Sequence, residues 1–527
     1  MFPSPKTSTT DTPDPRRWWT LIVLCISLLV IGLDNTILNV ALPTLVRDLD
    51  ASTSQLQWIV DAYTLVFAGF LLTGGSLGDR FGRKHTMSLG LVVFATASAA
   101  GAFADSATAL SLCRAVMGIG GALIMPATLS ILTNVFTDPK ERSKAIGAWA
   151  GISGLGIAVG PILGGFLLEH FWWGSVFLVN VPVAIVALVL GRFLIPNSKD
   201  PSAPKLDFVG SGTSIVGLSL LLWAIIEVPT KGWSDPNVIL TMLGALLVLG
   251  MFATWELRTE EPMLDLQFFA NPRFTVASLS ITMAFFAMSG TLFLLSQLLQ
   301  FVLGYDALSA GYRMAPIAVS MMIMAPLTPR LTERFGSKRM VAVGLTTSAC
   351  GLLILATVTE SSSYALVFVG LVVMALGIAM GMVPATDSIM GSLPREKAGV
   401  GSAVNDTTRQ VGGALGVAVL GSLLATGYRA HLKVDGLTGS ALAQARASVG
   451  GALQVAKDTG NEAVAQAGRA AYVHGMHLSL LVGAVFVLGG ALLSLLYLPA
   501  RATVAEQNPT ELVPADIVLS DEELELA

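Results

Sequence analysis

Apolar runs of bilayer-spanning length follow one another along this chain, and they predict fourteen transmembrane helices. A helix rises 1.5 Å per residue, so about twenty apolar residues cross a hydrocarbon core of about 30 Å. The approximate spans are 18–42, 57–77, 86–104, 108–134, 145–168, 174–195, 208–228, 237–257, 274–302, 309–329, 340–358, 363–390, 400–427 and 477–499. Backbone in lipid must satisfy its own hydrogen bonds, so runs of this length fold as helices. The expected class is an all-α membrane protein. Only 13% of the 527 residues are charged, against about 25% in soluble domains.

The flanks and loops set the orientation. Residues 1–17 read as a disordered N-terminus, with Arg16, Arg17, Trp18 and Trp19 marking an interface anchor. The tail 500–527 is acidic and ends in SDEELELA. The first run has no small-residue cleavage site and keeps Asp34, so it reads as a retained helix and not as a signal peptide. With the N-terminus inside, 21 of the 31 Lys and Arg fall in cytoplasmic segments and 7 in external ones. Basic residues stay on the cytoplasmic side, so both termini are expected there. Cys25, Cys113 and Cys350 all fall within spans and form no CxxC pair, which supports neither a zinc site nor a disulfide framework.

An internal repeat organises the helices. Residues 75–85 read GSLGDRFGRKH and residues 329–339 read PRLTERFGSKR, with Asp79 matched by the acid Glu333. Each follows the second helix of a six-helix unit. The division expected is a bundle at 18–196, two inserted helices at 197–258 and a second bundle at 274–499. Within the second bundle, 428–475 is Ala/Gly-rich and reads as an external hairpin of two short helices broken near Asp458–Gly460. Repeated bundles with a substrate site between them are a transporter plan.

Polar residues inside the apolar runs are the candidate site. A carboxylate at mid-bilayer costs roughly 2.5–3.5 kcal/mol on insertion scales, and chains that keep one use it on a solute or proton pathway. Asp34 sits in this position in the first span. Arg114 in LSLCRAVMGIGGALIMPATLSIL needs a partner. It can either snorkel to the interface or set the proton affinity of a membrane carboxylate. Asp61 in WIVDAY, beside Trp58 and Tyr63, and Asp406 in NDTTRQVGGALG, three residues before Arg409, are candidate cation-recognition residues. Asp406 and Arg409 can also pair within one helix. Gln297 and Gln300 are candidate cavity-lining groups, whereas Asp387 reads as structural.

Glycines mark the moving parts. Gly75, Gly78 and Gly82 permit close packing and φ > 0 in a tight cytoplasmic turn. Asp79, placed just beyond the second helix, can accept from helix N-terminal amides or pair with an arginine, and Arg80, Arg83 and Lys84 hold the loop to the inner surface. In the fifth helix, GLGIAVGPILGGF places Gly156, Gly160, Gly164 and Gly165 on a smooth face, and Pro161 removes a backbone donor. This face is expected at the bundle interface, as a seam for alternating access.

These motifs resemble those of the major facilitator superfamily, in particular its fourteen-helix drug:proton antiporter branch. The loop at 75–84 is similar to the superfamily's A motif, Arg114 to Ala122 resembles motif B, and Gly156 to Gly165 resembles the antiporter motif C. LDNTILNVALP, WIVDAY, GALIMPATLS, FLVNVP, EPMLDL and the long segment before the last helix look like the quaternary-ammonium-compound exporters. The resemblance covers nearly the whole chain outside the tails. It departs from that group at Ser320 and Met321, where some relatives carry a further carboxylate.

The resemblance implies a major facilitator fold and efflux of lipophilic cations in exchange for protons, with protons, cationic small molecules and membrane lipids as partners and a monomeric state. No cofactor, metal or nucleic-acid partner is expected. Asp34 is then the proton-coupled carboxylate, Arg114 its partner, and Asp79 and Arg83 the cytoplasmic gate. A cavity walled by aromatic and Met side chains suits flat amphipathic cations. Export of one amphipathic metabolite, lipid or peptide would use the same fold. An enzyme is disfavoured: no H-E-x-x-H, G-x-S-x-G or Walker sequence occurs, and the five histidines are scattered in or next to loops.

Overall fold

The computed structural model of the protein describes residues 15–49, 53–200, 207–434 and 437–499. The first fourteen residues and the tail 500–527 lie outside the described residues. The first half contains α1 (Arg17–Asp48), α2 (Thr53–Phe81), α3 (Arg83–Ala102), α4 (Ala107–Val135), α5 (Pro139–His170), α6 (Ser175–Leu178) and α7 (Asn180–Leu194). Then come α8 (Phe208–Lys231) and α9 (Pro236–Glu256). The second half contains α10 (Pro272–Gln297), α11 (Ala307–Phe335), α12 (Ser337–Leu355), α13 (Tyr364–Gly391), α14 (Ala398–His431), α15 (Gly439–Ala447), α16 (Val449–Thr459) and α17 (Glu462–Tyr497).

Thirteen spans among the described residues are long and apolar enough to cross a membrane, with α6 and α7 counted as one. The remaining helix of the fourteen is α5, which runs for 32 residues. Local chemistry explains several starts. Asp138–Pro139, Asp235–Pro236 and Asn271–Pro272 each place a side-chain acceptor at the cap and a proline in the first turn. The proline has no amide to leave unpaired there, and the cap oxygen accepts from the next amides along the helix.

The internal repeat builds the same corner twice. Gly82, at φ +105°, separates α2 from α3, and Gly336, at φ +83°, separates α11 from α12. A residue with a Cβ is strained at these angles, which accounts for the shared R-F-G. Gly75 and Gly78 are helical instead, and Asp79 lies inside the last turn of α2 and not beyond it. The acidic repeat position diverges as well: Asp79 is buried and Glu333 is exposed.

Helices α8 and α9 pack on each other, and α8 packs against α2 and α14. Leu222 meets Leu65 and Ala68, while Ile225, Val228 and Val238 meet Ala418. Asp207 accepts from the Gly210 amide at 2.7 Å and from Trp255 Nε1 at 2.9 Å, which fastens the start of α8 to the end of α9.

The segment before the last helix differs from expectation in one respect. Its two short helices are α15 and α16, broken at Ser448, and Gly460 at φ +67° ends the second. The chain beyond that glycine is already α17, which begins at Glu462 and runs for 36 residues into the last span. An alanine-rich stretch reads as a short surface helix until the final apolar run is seen to continue it. Tyr428 Oη donates to the carbonyls of Ala445 at 2.7 Å and Ser448 at 3.0 Å and so ties the hairpin to α14.

Candidate functional site

Asp34 on α1 is buried and has two side-chain partners from other helices. Arg114 of α4 donates from Nη1 to Asp34 Oδ2. Asn180, the first residue of α7, donates from Nδ2 to Asp34 Oδ1 at 3.1 Å. The guanidinium is fixed on its other sides. Its Nε donates to the Ile59 carbonyl at 3.1 Å, and Cζ lies 4.4 Å from the ring centroid of Tyr63. Asp34, Arg114 and Asn180 are each 2% exposed or less. Asn180 also donates to Ser98 Oγ, which donates to the Phe177 carbonyl. The snorkelling alternative for Arg114 is thereby set aside. Breaking one side of a buried pair costs about 3–5 kcal/mol, so Asp34 and Arg114 hold each other in place.

A second polar group lies on α14. Asp406 Oδ1 is 3.6 Å from Arg409 Nη1 and accepts from Asn405 Nδ2 at 3.2 Å. Arg409 Cζ lies 4.9 Å from the rings of both Trp149 on α5 and Phe285 on α10, and its Nη2 is 3.2 Å from Met382 Sδ. Beside it is a cavity of about 160 Å³, lined from both halves of the chain by Gly32, Asn35, Phe67, Met125, Phe285, Met288, Met321, Met382, Asp406, Arg409 and Gln410 among others. The two polar groups are linked through the aromatic residues. Phe67, in the cavity wall, stacks on Tyr63 at 5.6 Å, and Tyr63 carries Arg114.

Several expected residues lie elsewhere. Trp58 is 47% exposed, in an outer groove with Leu65, Leu112 and Ala115. Five residues on a helix turn by about 140°, so with Tyr63 facing inward Trp58 cannot also face the cavity. Tyr63 serves the buried pair and not the cavity wall. Asp61 is half-buried on α2 and is not among the cavity-lining residues. Gln297 closes α10 with its amide toward the Phe293 carbonyl, and Gln300 is exposed in the π-helical turn Leu298–Val302. Neither glutamine lines the cavity.

The glycine face of α5 also meets a different partner from the one expected. Gly156 lies against Gly32, Gly160 against Thr36, and Gly164 against Ile37, all on α1. Thr36 Oγ1 donates to the Gly156 carbonyl at 3.0 Å. This is packing within the first half of the chain. Toward α11 of the second half, α5 instead presents Gly147, where an added Cβ would meet the Ala325 carbonyl at 2.6 Å. Gly165 is half-buried, and the side chain of Pro161 is outside the described residues.

At one end of the molecule the two halves are joined by directed contacts. Asp79 accepts from Arg83 Nη2 at 2.7 Å and from the amides of Gly399 and Val400 at 3.0 and 3.1 Å. These amides belong to the first turn of α14, where backbone donors lack helical partners and favour an anion. Arg83 Nη2 also donates to the Glu396 carbonyl at 2.9 Å. Nearby, Arg142 Nε is 3.1 Å from Asp387 Oδ1 and Lys397 Nζ is 3.8 Å from Asp200 Oδ2. Arg80 lies half-buried in the same turn, with Cζ 5.4 Å from the Phe81 ring.

Sequence reasoning did not single out Asn180, Trp149 or Phe285. Asn180 had a signal, as the lone amide in the apolar run FLVNVP. Trp149 and Phe285 had none, because an aromatic residue in a span is ordinary core or lipid-facing surface.

A bundle of membrane-spanning helices around a small, mostly apolar cavity that holds a few polar groups, with a buried ion pair beside it, defines a multi-pass membrane transporter and not an enzyme. The chain belongs to the Major Facilitator Superfamily, whose family model matches residues 24–417. It is 38% identical to the multidrug efflux pump LfrA of Mycolicibacterium smegmatis over 489 residues, covering 92% of this chain and 96% of that protein. It is 34% identical to the methyl viologen resistance protein SmvA of Salmonella typhimurium over 472 residues, covering 88% and 95%. The human organic anion transporter MFSD10 shares the fold at TM-score 0.62 and 16% identity, covering 91% of this chain and 100% of that one.

Proposed function

We propose that the chain is a proton-coupled exporter of lipophilic and quaternary-ammonium cations in the cytoplasmic membrane, with both termini inside. The observation that carries this is the buried Asp34–Arg114 pair set beside a Met- and aromatic-walled cavity that holds a second carboxylate, Asp406. Asp34 takes the proton. Protonation discharges the partner of Arg114, and the cost of an unpaired buried guanidinium drives the helices to rearrange. Asp406 attracts the cargo's charge, and the thioether and aromatic walls hold its apolar body. The names of the two relatives, a multidrug efflux pump and a methyl viologen resistance protein, support this direction and cargo class.

Residues 18–196 and 274–499 act as two bundles that rock about the cavity, with 197–258 inserted between them and 428–475 on the external side. The contacts of Asp79, Arg83 and Arg142 join the two bundles at the cytoplasmic end and have to part for that end to open. The protein works as a monomer.

The test is uptake of ethidium into everted vesicles with an imposed pH gradient, lumen acidic. Wild-type transport that follows the gradient, collapses with a protonophore and disappears in Asp34→Asn supports the reading. No gradient-driven movement of any lipophilic cation by the wild type overturns it, in favour of export of one amphipathic metabolite, lipid or peptide.

A further inference from the structure

Arg409 already occupies the kind of site that the proposed cargo requires. Its guanidinium is a flat, delocalised cation. It lies 4.9 Å from one ring contributed by the first half of the chain, Trp149, and 4.9 Å from one contributed by the second, Phe285. A carboxylate, Asp406, stands at its edge. A cation between π faces with an anion beside it is the general arrangement for recognising organic cations.

The arginine is also held loosely for a buried charge. The Asp406 contact is 3.6 Å, longer than a charge-assisted hydrogen bond. Arg409 Nε and Asp406 Oδ2 are both buried, and neither has a hydrogen-bond partner among the described residues. A purely structural buried pair is ordinarily saturated on both sides. The adjoining cavity, about 160 Å³, is too small for the cargo; drug-sized ligands take roughly 300–1,000 Å³. In this state cargo and guanidinium therefore compete for the same space.

We propose that Arg409 is a tethered surrogate for the cargo. Planar aromatic cations bind between Trp149 and Phe285 against Asp406, and they do so by displacing Arg409 toward the polar part of the cavity wall at Asn35 and Gln410. This rests on the reading that the cargo is cationic. It makes Trp149 and Phe285 the residues that select flat, delocalised charge. It also makes Arg409 a competitor that limits affinity, so that cargo is released once the site reverts to its own side chain.

The experiment is ethidium binding to the purified full-length protein in detergent, read by fluorescence anisotropy, with thermal melting as a folding control. Arg409→Gln should tighten ethidium binding ~tenfold by removing the competitor. Adding Trp149→Ala to Arg409→Gln should weaken it again ~tenfold, in a background where Trp149 has no arginine to support. If Arg409→Gln does not fold, Arg409→Lys keeps the charge and loses the planar stack, and it should tighten binding to a smaller degree. Binding that is unchanged or weaker in the folded arginine variant overturns the surrogate role, because a structural arginine gives that result. If wild type and variants alike bind no ethidium, the cationic-cargo reading fails and this inference fails with it.

Discussion

The Asp79 carboxylate accepts the backbone amide of Gly399 at 3.0 Å, although the two residues lie 320 positions apart. The contact is possible because neither Gly75 nor Gly399 has a side chain. A Cβ on Gly399 would sit 2.5 Å from the Gly75 carbonyl and 2.6 Å from Asp79 Oδ1.

Opening this end should therefore be easy to bias. Asp79→Asn weakens a charge-assisted contact with a helix N-terminus, worth about 1–2 kcal/mol, or roughly a 5- to 30-fold shift in population. Gly399→Leu forces the helices apart sterically. Both variants should raise the labelling rate of a cysteine placed at Val400 in a cysteine-free background, with the protein still folded. Unchanged labelling would show that the contact does not hold this end closed.

The buried pair predicts a separation of transport from coupling. In Asp34→Asn, uptake driven by a pH gradient should fall to background, while exchange of labelled for unlabelled ethidium persists. Arg114→Lys cannot bond Asp34 and Ile59 and cover Tyr63 at once, because an ammonium is a point charge and not a planar fork. It should cut gradient-driven export at least ~tenfold. Vesicle flux assays at matched expression measure both.

The contact between α1 and α5 predicts a stability effect. A Cβ on Gly160 would overlap Thr36 Oγ1. Gly160→Ala should destabilise by ~1–3 kcal/mol, as overpacking does, and lower the melting temperature in detergent. Gly250→Ala on α9, where nothing lies within 4 Å of the added carbon, is the control and should melt no lower than wild type. Equal melting of the two variants would mean that α1 and α5 separate readily.

The outward placement of Trp58 predicts no role in cargo binding. Trp58→Ala should leave ethidium affinity within about twofold of wild type, in keeping with the ±0.5 kcal/mol scatter of surface substitutions. A larger loss in the same anisotropy assay would place cargo in the outer groove.

Much of this protein is local physics and can be read from the chain. Hydropathy places the spans, because a peptide group in lipid has no alternative to the helix. The R-F-G of the repeat makes the same corner twice because only glycine tolerates φ near +83° to +105°. Asp34 is conspicuous because a charge in an apolar run is costly wherever the helix packs. Residue type and the bilayer as solvent thus account for the helices and for the charged groups that must be used.

The choice of partners is not local. Whether Tyr63 or Trp58 faces inward depends on the rotation of α2, and that rotation is set by how closely Gly118 and Gly121 of α4 let it approach. Asn180 reaches Asp34 across 146 residues, Arg409 lies 4.9 Å from one ring of each half, and the glycines of α5 face α1 and not the second half. These meetings exist only once the helices are packed in three dimensions. Contacts between helices depend on surfaces distant in the chain, and no local propensity encodes them.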